Sequence, residues 1–226
     1  MLNGLLVISG AFGLFRKDVI IRCGGYRHDT VGEDMELVVR MHKTMRENKI
    51  PYRITFVPEP VCWTEVPESL RILSHQRNRW QRGLIETLIT HRKMLLDPRY
   101  GVVGMLAMPF FFFFEMLGPI VELLGYIVFP ISCIFGIVNI QFAVLFFIVA
   151  IILGIILSVS SIVLEELSFR RYPRYSHIVR LFFFSILENF GYRQLHTLWR
   201  FRGIVDYLLG KKTWGAMERT GVKKTV

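Results

Sequence analysis

Positive charge is missing from the middle of this chain: no lysine or arginine lies between Arg99 and Arg170, a gap of 70 residues. Cysteine is scarce too. Cys23, Cys62 and Cys133 are spaced to suit neither a disulfide framework nor a zinc site, so they read as buried, reduced thiols. Apolar residues are not lacking. The 226 residues are 52% hydrophobic and 14% aromatic, which excludes a disordered or collagen-like chain. A net charge of +10 beside a mean hydropathy of +0.41 requires apolar and basic residues to be segregated, which excludes a simple soluble globule.

Counted by region, residues 1–100 hold 16 basic and 11 acidic residues, residues 101–164 none and two, and residues 165–226 twelve and five. A bilayer core roughly 30 Å thick needs about 20 apolar residues in helix. Residues 141–164 carry no charge and residues 119–138 carry only Glu122, so both are predicted to span and to form a hairpin. Residues 102–117 and 178–199 are weaker candidates that would span, re-enter or lie in the interface. Arg92, Lys93 and Arg99 before the block and Arg170, Arg171 and Arg174 after it carry the cytoplasmic signature. The expected localisation is multi-pass in the plasma (inner) membrane, by two or four crossings, with residues 1–100 and the basic tail 211–226 cytoplasmic. This distribution accounts for the basic excess without a nucleic-acid partner. Glu115, Glu122 and Glu188 either pair across helices at headgroup depth or line a polar path.

The first hundred residues read as an α/β segment. Leu5-Leu6-Val7-Ile8 suits a short core strand, and no secretory signal pattern precedes or follows it. A short helix over 18–23 leads to a Gly24-Gly25-Tyr26 turn, and residues 52–57 and 60–63 read as further extended segments. From Asp34 onward, Leu37, Val38, Met41 and Met45 recur at helical spacing, which puts Gly32-Glu33-Asp34 at a helix N-terminus. Carboxylates are common there because they meet the exposed N–H groups and the dipole. Asp34 and Glu36 are poor joint metal ligands, since two positions apart on a helix their side chains diverge by roughly 200°.

A longer helix is predicted from Pro67 to about Leu96. On it Gln76, Arg79 and Trp80 share one face at i, i+3 and i+4, whereas Arg77 and Arg82 point elsewhere. An amide, a guanidinium and an indole together suit a sugar ring and an anionic leaving group. A basic amphipathic helix before a membrane block can equally be an interfacial anchor.

The ordered set Ser9-Gly10-Ala11-Phe12-Gly13, Gly24-Gly25-Tyr26, Gly32-Glu33-Asp34, Cys62-Trp63-Thr64-Glu65-x-Pro67 and Gln76-Arg77-Asn78-Arg79-Trp80 resembles the acceptor-side half of membrane-embedded family 2 glycosyltransferases. Synthases of cellulose, hyaluronan, chitin oligosaccharides and poly-N-acetylglucosamine belong to that group. The resemblance covers residues 1 to about 140, and more loosely the tail around Lys211 to Arg219. It implies that Asp34 is the general base toward the acceptor hydroxyl, and that Glu33, Gln76, Arg79 and Trp80 border the donor diphosphate and the acceptor sugar. The family also holds its nucleotide-sugar through a divalent metal, Mg or Mn, on an Asp-x-Asp pair, and no Asp-x-Asp occurs here.

The fold class expected is therefore a partial glycosyltransferase A-type α/β domain over residues 1–100 with an interface helix, transmembrane and interfacial helices over 101–210, and a basic tail over 211–226. The function expected is that of the acceptor-binding and translocating half of an inverting transferase, with N-acetylglucosamine favoured over glucose. The alternative is a non-catalytic membrane subunit, a pore or docking component of a synthase complex. Expected partners are membrane lipids, a nucleotide-sugar, a glycan acceptor, and a separate N-terminal half or synthase subunit. A fragment, a truncated reading frame and one member of a split synthase all fit that pattern.

Overall fold

The computed structural model describes residues 3–10, 12–57, 62, 64–169 and 174–211. Their elements are helical: α1 (Lys17–Arg22), α2 (Glu33–Glu47), α3 (Leu70–Thr90), α4 (Met108–Phe110) flanked by π-helical turns at Val103–Ala107 and Phe111–Met116, α5 (Gly118–Ile134), α6 (Ile140–Phe169), α7 (Tyr175–Leu187) and α8 (Tyr192–Leu208). The chain divides into two compact units, Met1–Pro119 with Trp199–Val226, and Ile120–Leu198.

The α/β class is overturned: among the described residues no strand forms. Residues 3–8 and 52–57 are joined through a side chain instead of a backbone ladder. Asn3 donates to Tyr52 O at 3.1 Å and accepts from Ile54 N at 3.0 Å. A strand exists only with a hydrogen-bonding neighbour, and an apolar run cannot reveal whether one is there. The expected segment 60–63 falls mostly outside the described residues, as do Ala11, Arg170, Arg171 and the tail beyond Lys211. Cys62 is exposed, not buried as expected.

In the first unit the core forms between α2 and α3. Leu37, Val38 and Val39 of α2 are fully buried, and Leu84, Ile85 and Leu88 of α3 are buried as well. Cys23, Met41 and Met45 extend the cluster, with Phe15, Val19 and Ile20 packed against it. Buried polar groups are paired into this core. Glu36 holds Arg40 at 2.9 Å and His91 at 3.1 Å. Arg40 in turn donates to Gly25 O at 2.6 Å and to Cys23 O, which fixes the Gly24-Gly25 turn where both glycines take positive φ. His42 sits between Tyr52 OH (2.6 Å) and Leu5 O (2.9 Å). Burial pulls its imidazole below the ordinary value, so the ring is neutral, with Nε2 donating to the carbonyl and Nδ1 accepting from the phenol.

Two helices, Val103–Ile134 and Ile140–Phe169, are long and apolar enough to cross a membrane, and both leave most of their apolar side chains exposed. A core helix of a soluble protein would bury that surface. In the second unit, Glu122 accepts from Thr197 and Glu188 accepts from Ser158, while Asn189 fits against Gly154. The predicted segment 178–199 is two helices, broken at Gly191, whose φ of 95° only glycine takes readily.

Candidate active site on one face of α3

Glu33 and Asp34 occupy the first turn of α2, capped by Gly32. That end of α2 is pressed onto the middle of α3: a methyl group built on Gly83 would stand 2.8 Å from Gly32 Cα, so the two backbones touch. The loop before α2 is tied to α3 one turn further along, where the Glu86 carboxylate accepts from Thr30 Oγ1 at 2.7 Å and from Val31 N at 3.0 Å. At about 100° per residue, Gly83 and Glu86 lie on the same side of α3 as Gln76, Arg79 and Trp80. The glycine contact therefore holds the Glu33-Asp34 pair within electrostatic reach of Arg79, on whose side of α3 helical spacing also puts Gln76 and Trp80.

Asp34 Oδ1 accepts from Met35 N at 2.8 Å, and Oδ2 faces Gly10, where a Cβ would come within 2.7 Å. A side chain at position 10 would therefore displace the Asp34 carboxylate from its present position. Glu36, two residues on, is turned into the core toward Arg40 and His91 and has no part in this cluster. Arg79 is half-buried. Burial lowers its pKa from the ordinary value, while the charges of Glu33 and Asp34 pull the other way, which puts the three groups within electrostatic reach. A guanidinium stays charged under such a shift. Trp80 is 52% exposed, and Arg77 lies over its ring with Cζ 4.5 Å from the centroid. Arg77, expected to point away, is thereby part of the indole platform. Gln76 is half-buried one turn before Trp80.

The opposite face of α3 is anchored by Glu115, one of the carboxylates expected to pair across helices, and by Gln81, Arg200 and Asp206, which no motif in the sequence marked. Pro119 has no N–H to give to Glu115 O, so that carbonyl is left over where the wide π turns end at Leu117. Gln81 donates to Glu115 O (3.3 Å) and Met116 O (3.2 Å), and Arg200 donates to Gln81 Oε1 (2.8 Å) and to the Glu115 carboxylate (2.9 Å). Asn78 donates to Asp206 at 2.8 Å and accepts from Arg82 at 3.0 Å, and Lys211 holds Asp206 at 2.6 Å. Gly203 lets α8 approach: its Cβ would meet Asn78 O and Gln81 Cβ at 2.8 Å. This network sets the rotation of α3 about its axis, and hence where Arg79 and Trp80 point. Only the polar spacing at 78, 81 and 82 hinted at it.

The donors among the described residues do not make a divalent-metal site. Among the described residues no three His, Cys, Asp or Glu side chains converge, and the Glu33-Asp34 pair already has a cation beside it in Arg79.

The description of glycosyl transferase family group 2 matches residues 1–159. Over 82 residues the chain is 37% identical to a poly-beta-1,6-N-acetyl-D-glucosamine synthase of Staphylococcus aureus (strain COL), a stretch covering 36% of this chain and 18% of that protein. Over 79 residues it is 30% identical to a probable glycosyltransferase, YdaM, of Bacillus subtilis (strain 168), covering 35% of this chain and 17% of the relative. The chain thus matches less than a fifth of the length of these curated relatives. No solved structure matches it significantly.

Proposed function

The chain belongs to glycosyl transferase family group 2, and we propose that it is the acceptor-binding, membrane-embedded part of an inverting transferase with Asp34 as general base. The observation that supports this reading best is the Gly32–Gly83 contact, which brings the start of α2 against α3 with Asp34 in electrostatic reach of Arg79. In the transfer, the acceptor hydroxyl oxygen bonds to the anomeric carbon as the bond from that carbon to the diphosphate breaks. The hydroxyl proton goes to Asp34, and the electron pair leaves with the nucleoside diphosphate. Arg79 stabilises the negative charge that develops on the leaving group, helped by the Gln76 amide. Glu33 borders the acceptor, and Trp80 gives the sugar ring a flat apolar surface. N-acetylglucosamine is the favoured sugar because one relative is named for its polymer. No step is assigned to a metal.

The exposed apolar surfaces of the two long helices support insertion into a bilayer. The 2.8 Å bond from Asn78 to Asp206 supports placing residues 1–100 and the end of α8 on one side of it. The flanking arginines and lysines favour the cytoplasmic side.

The reading is tested by expressing the chain with the amino-terminal half of a closely similar synthase and following radiolabelled N-acetylglucosamine into polymer. Incorporation that requires both polypeptides is expected. Incorporation by the partner half alone, unaffected by this chain, would leave the chain as a non-catalytic subunit.

A further inference from the structure

Away from the α3 face, a cavity of about 720 Å³ opens between the end of α2 and the turn that leads into the first long apolar helix. Its walls include Arg46, Lys49, Arg99, Tyr52, Tyr100 and Glu47. The two carboxylates nearby are engaged: Asp97 chelates the Arg99 guanidinium, and Glu47 accepts from Tyr100 OH at 2.8 Å. Arg46 donates only through Nε, to Tyr52 OH at 3.4 Å, and neither Arg46 nor Lys49 makes an ion pair among the described residues. Arg46, Lys49 and Arg99 together outnumber the carboxylates Glu47 and Asp97, so the cavity carries a net positive charge.

Left-handed backbone occurs at Lys49 and beside Arg46. Helix α2 ends with Ile50 N bonded to Met45 O (2.9 Å) and Lys49 N to Arg46 O (3.1 Å), a reverse turn whose left-handed position is normally glycine. Lys49 occupies it with φ of 55°. A lysine there is strained where glycine would not be, and such strain clusters where a side chain has a task. Next to the wall residues Arg99 and Tyr100, Gly101 has φ of 58°, and a Cβ on it would come within 3.1 Å of the Arg46 guanidinium.

The position identifies the class of anion. The exposed apolar side chains of the first long apolar helix begin at Met105 and Leu106, five and six residues beyond the cavity wall at Tyr100. The intervening chain is a 3-10 turn, Gly101 and the start of the π-helical turn, so the cavity borders the apolar surface at the depth of the roughly 5–7 Å headgroup layer of one leaflet. We propose that this cavity binds a phosphate group through Arg46 and Lys49, and that the phosphate is the headgroup of an anionic membrane lipid. The site requires that the helix from Val103 enters a bilayer and is independent of the sugar-transfer reading.

The test uses the full chain in neutral detergent, titrated with phosphatidylglycerol, phosphatidylcholine or inorganic phosphate, with bound lipid counted by native mass spectrometry and unfolding followed thermally. Phosphatidylglycerol should bind and raise the unfolding temperature more than phosphatidylcholine. Lys49→Gly should raise the lipid-free unfolding temperature, because it relieves the left-handed backbone, yet weaken phosphatidylglycerol binding about fivefold. Arg46→Gln should weaken it similarly, and Lys43→Gln, on the same helix but outside the cavity, should leave it unchanged. A shift with inorganic phosphate alone would keep the phosphate site but assign it to a soluble anion. Equal response to both lipids, or a Lys49→Gly chain that binds phosphatidylglycerol as the parent does, would overturn the proposal.

Discussion

Gly32 and Gly83 meet backbone to backbone, with 2.8 Å left between Gly32 Cα and any side-chain carbon placed on Gly83. A glycine inside a helix ordinarily costs about 0.5–1 kcal/mol relative to alanine. At Gly83 the sign reverses, because the methyl group would force α2 off α3. Gly83→Ala is expected to destabilise the protein by about 1–3 kcal/mol and to lower transfer activity beyond the loss of folded protein, since the displaced element carries Asp34. Thermal unfolding together with activity per folded molecule checks this, and a stabilised Gly83→Ala chain would contradict the contact.

Acid should unfold the first unit in two stages. His42 is neutral in the fold and held below its ordinary value of 6.5 by burial. The unfolded chain therefore binds more protons, and the stability His42 contributes is present above about pH 6.5 and lost as pH falls. For Glu36, burial alone would raise the carboxyl, but His91 and Arg40 outweigh it and hold it below 4.5. Its contribution is full above that value and is lost as pH falls through the lower folded value. Unfolding temperatures measured from pH 7.5 down to 3 should hold level to about pH 6.5, fall as His42 takes up its proton and fall again below about pH 4.5, and His42→Gln should flatten the upper part of the curve. A parent curve flat between pH 7.5 and 5 would contradict the buried, neutral assignment.

Trp80→Ala should raise the acceptor KM by roughly two- to tenfold with a smaller effect on donor KM, because a stacking surface is lost from the sugar and not from the diphosphate. Steady-state kinetics in the reconstituted two-part enzyme measure the split. Equal changes in both KM values would show that the indole is only part of the α3 surface.

The helices that present the site were legible because their apolar spacing is local. The predicted start near Asp34 matches α2 at Glu33, and the spans expected over 119–138 and 141–164 correspond to α5 and α6. The predicted start at Pro67 was three residues early, because Ser69 is the cap, accepting from Ile72 N. What the sequence could not reveal are relationships between distant residues of ordinary type. Gln81, Arg200 and Glu115 form one hydrogen-bonded group across 119 positions, and no periodicity marks an arginine on α8 as the partner of a glutamine on α3. The strands failed for the same reason in reverse. Residues 5–8 have the composition of a strand, but pairing depends on a neighbour, and the neighbour at 52–57 is held by the Asn3 side chain.

The central claim is that Asp34 takes the acceptor proton, and the most direct measurement is polymer synthesis by Asp34→Asn in the two-part assay, with folding checked by unfolding temperature. The amide keeps the contacts to Met35 N and Gly10 but cannot accept a proton, so incorporation should fall by about 10²–10⁴-fold at an unchanged unfolding temperature. An Asp34→Asn chain that supports incorporation at the parent rate would show that Asp34 only caps α2, and that the base lies elsewhere.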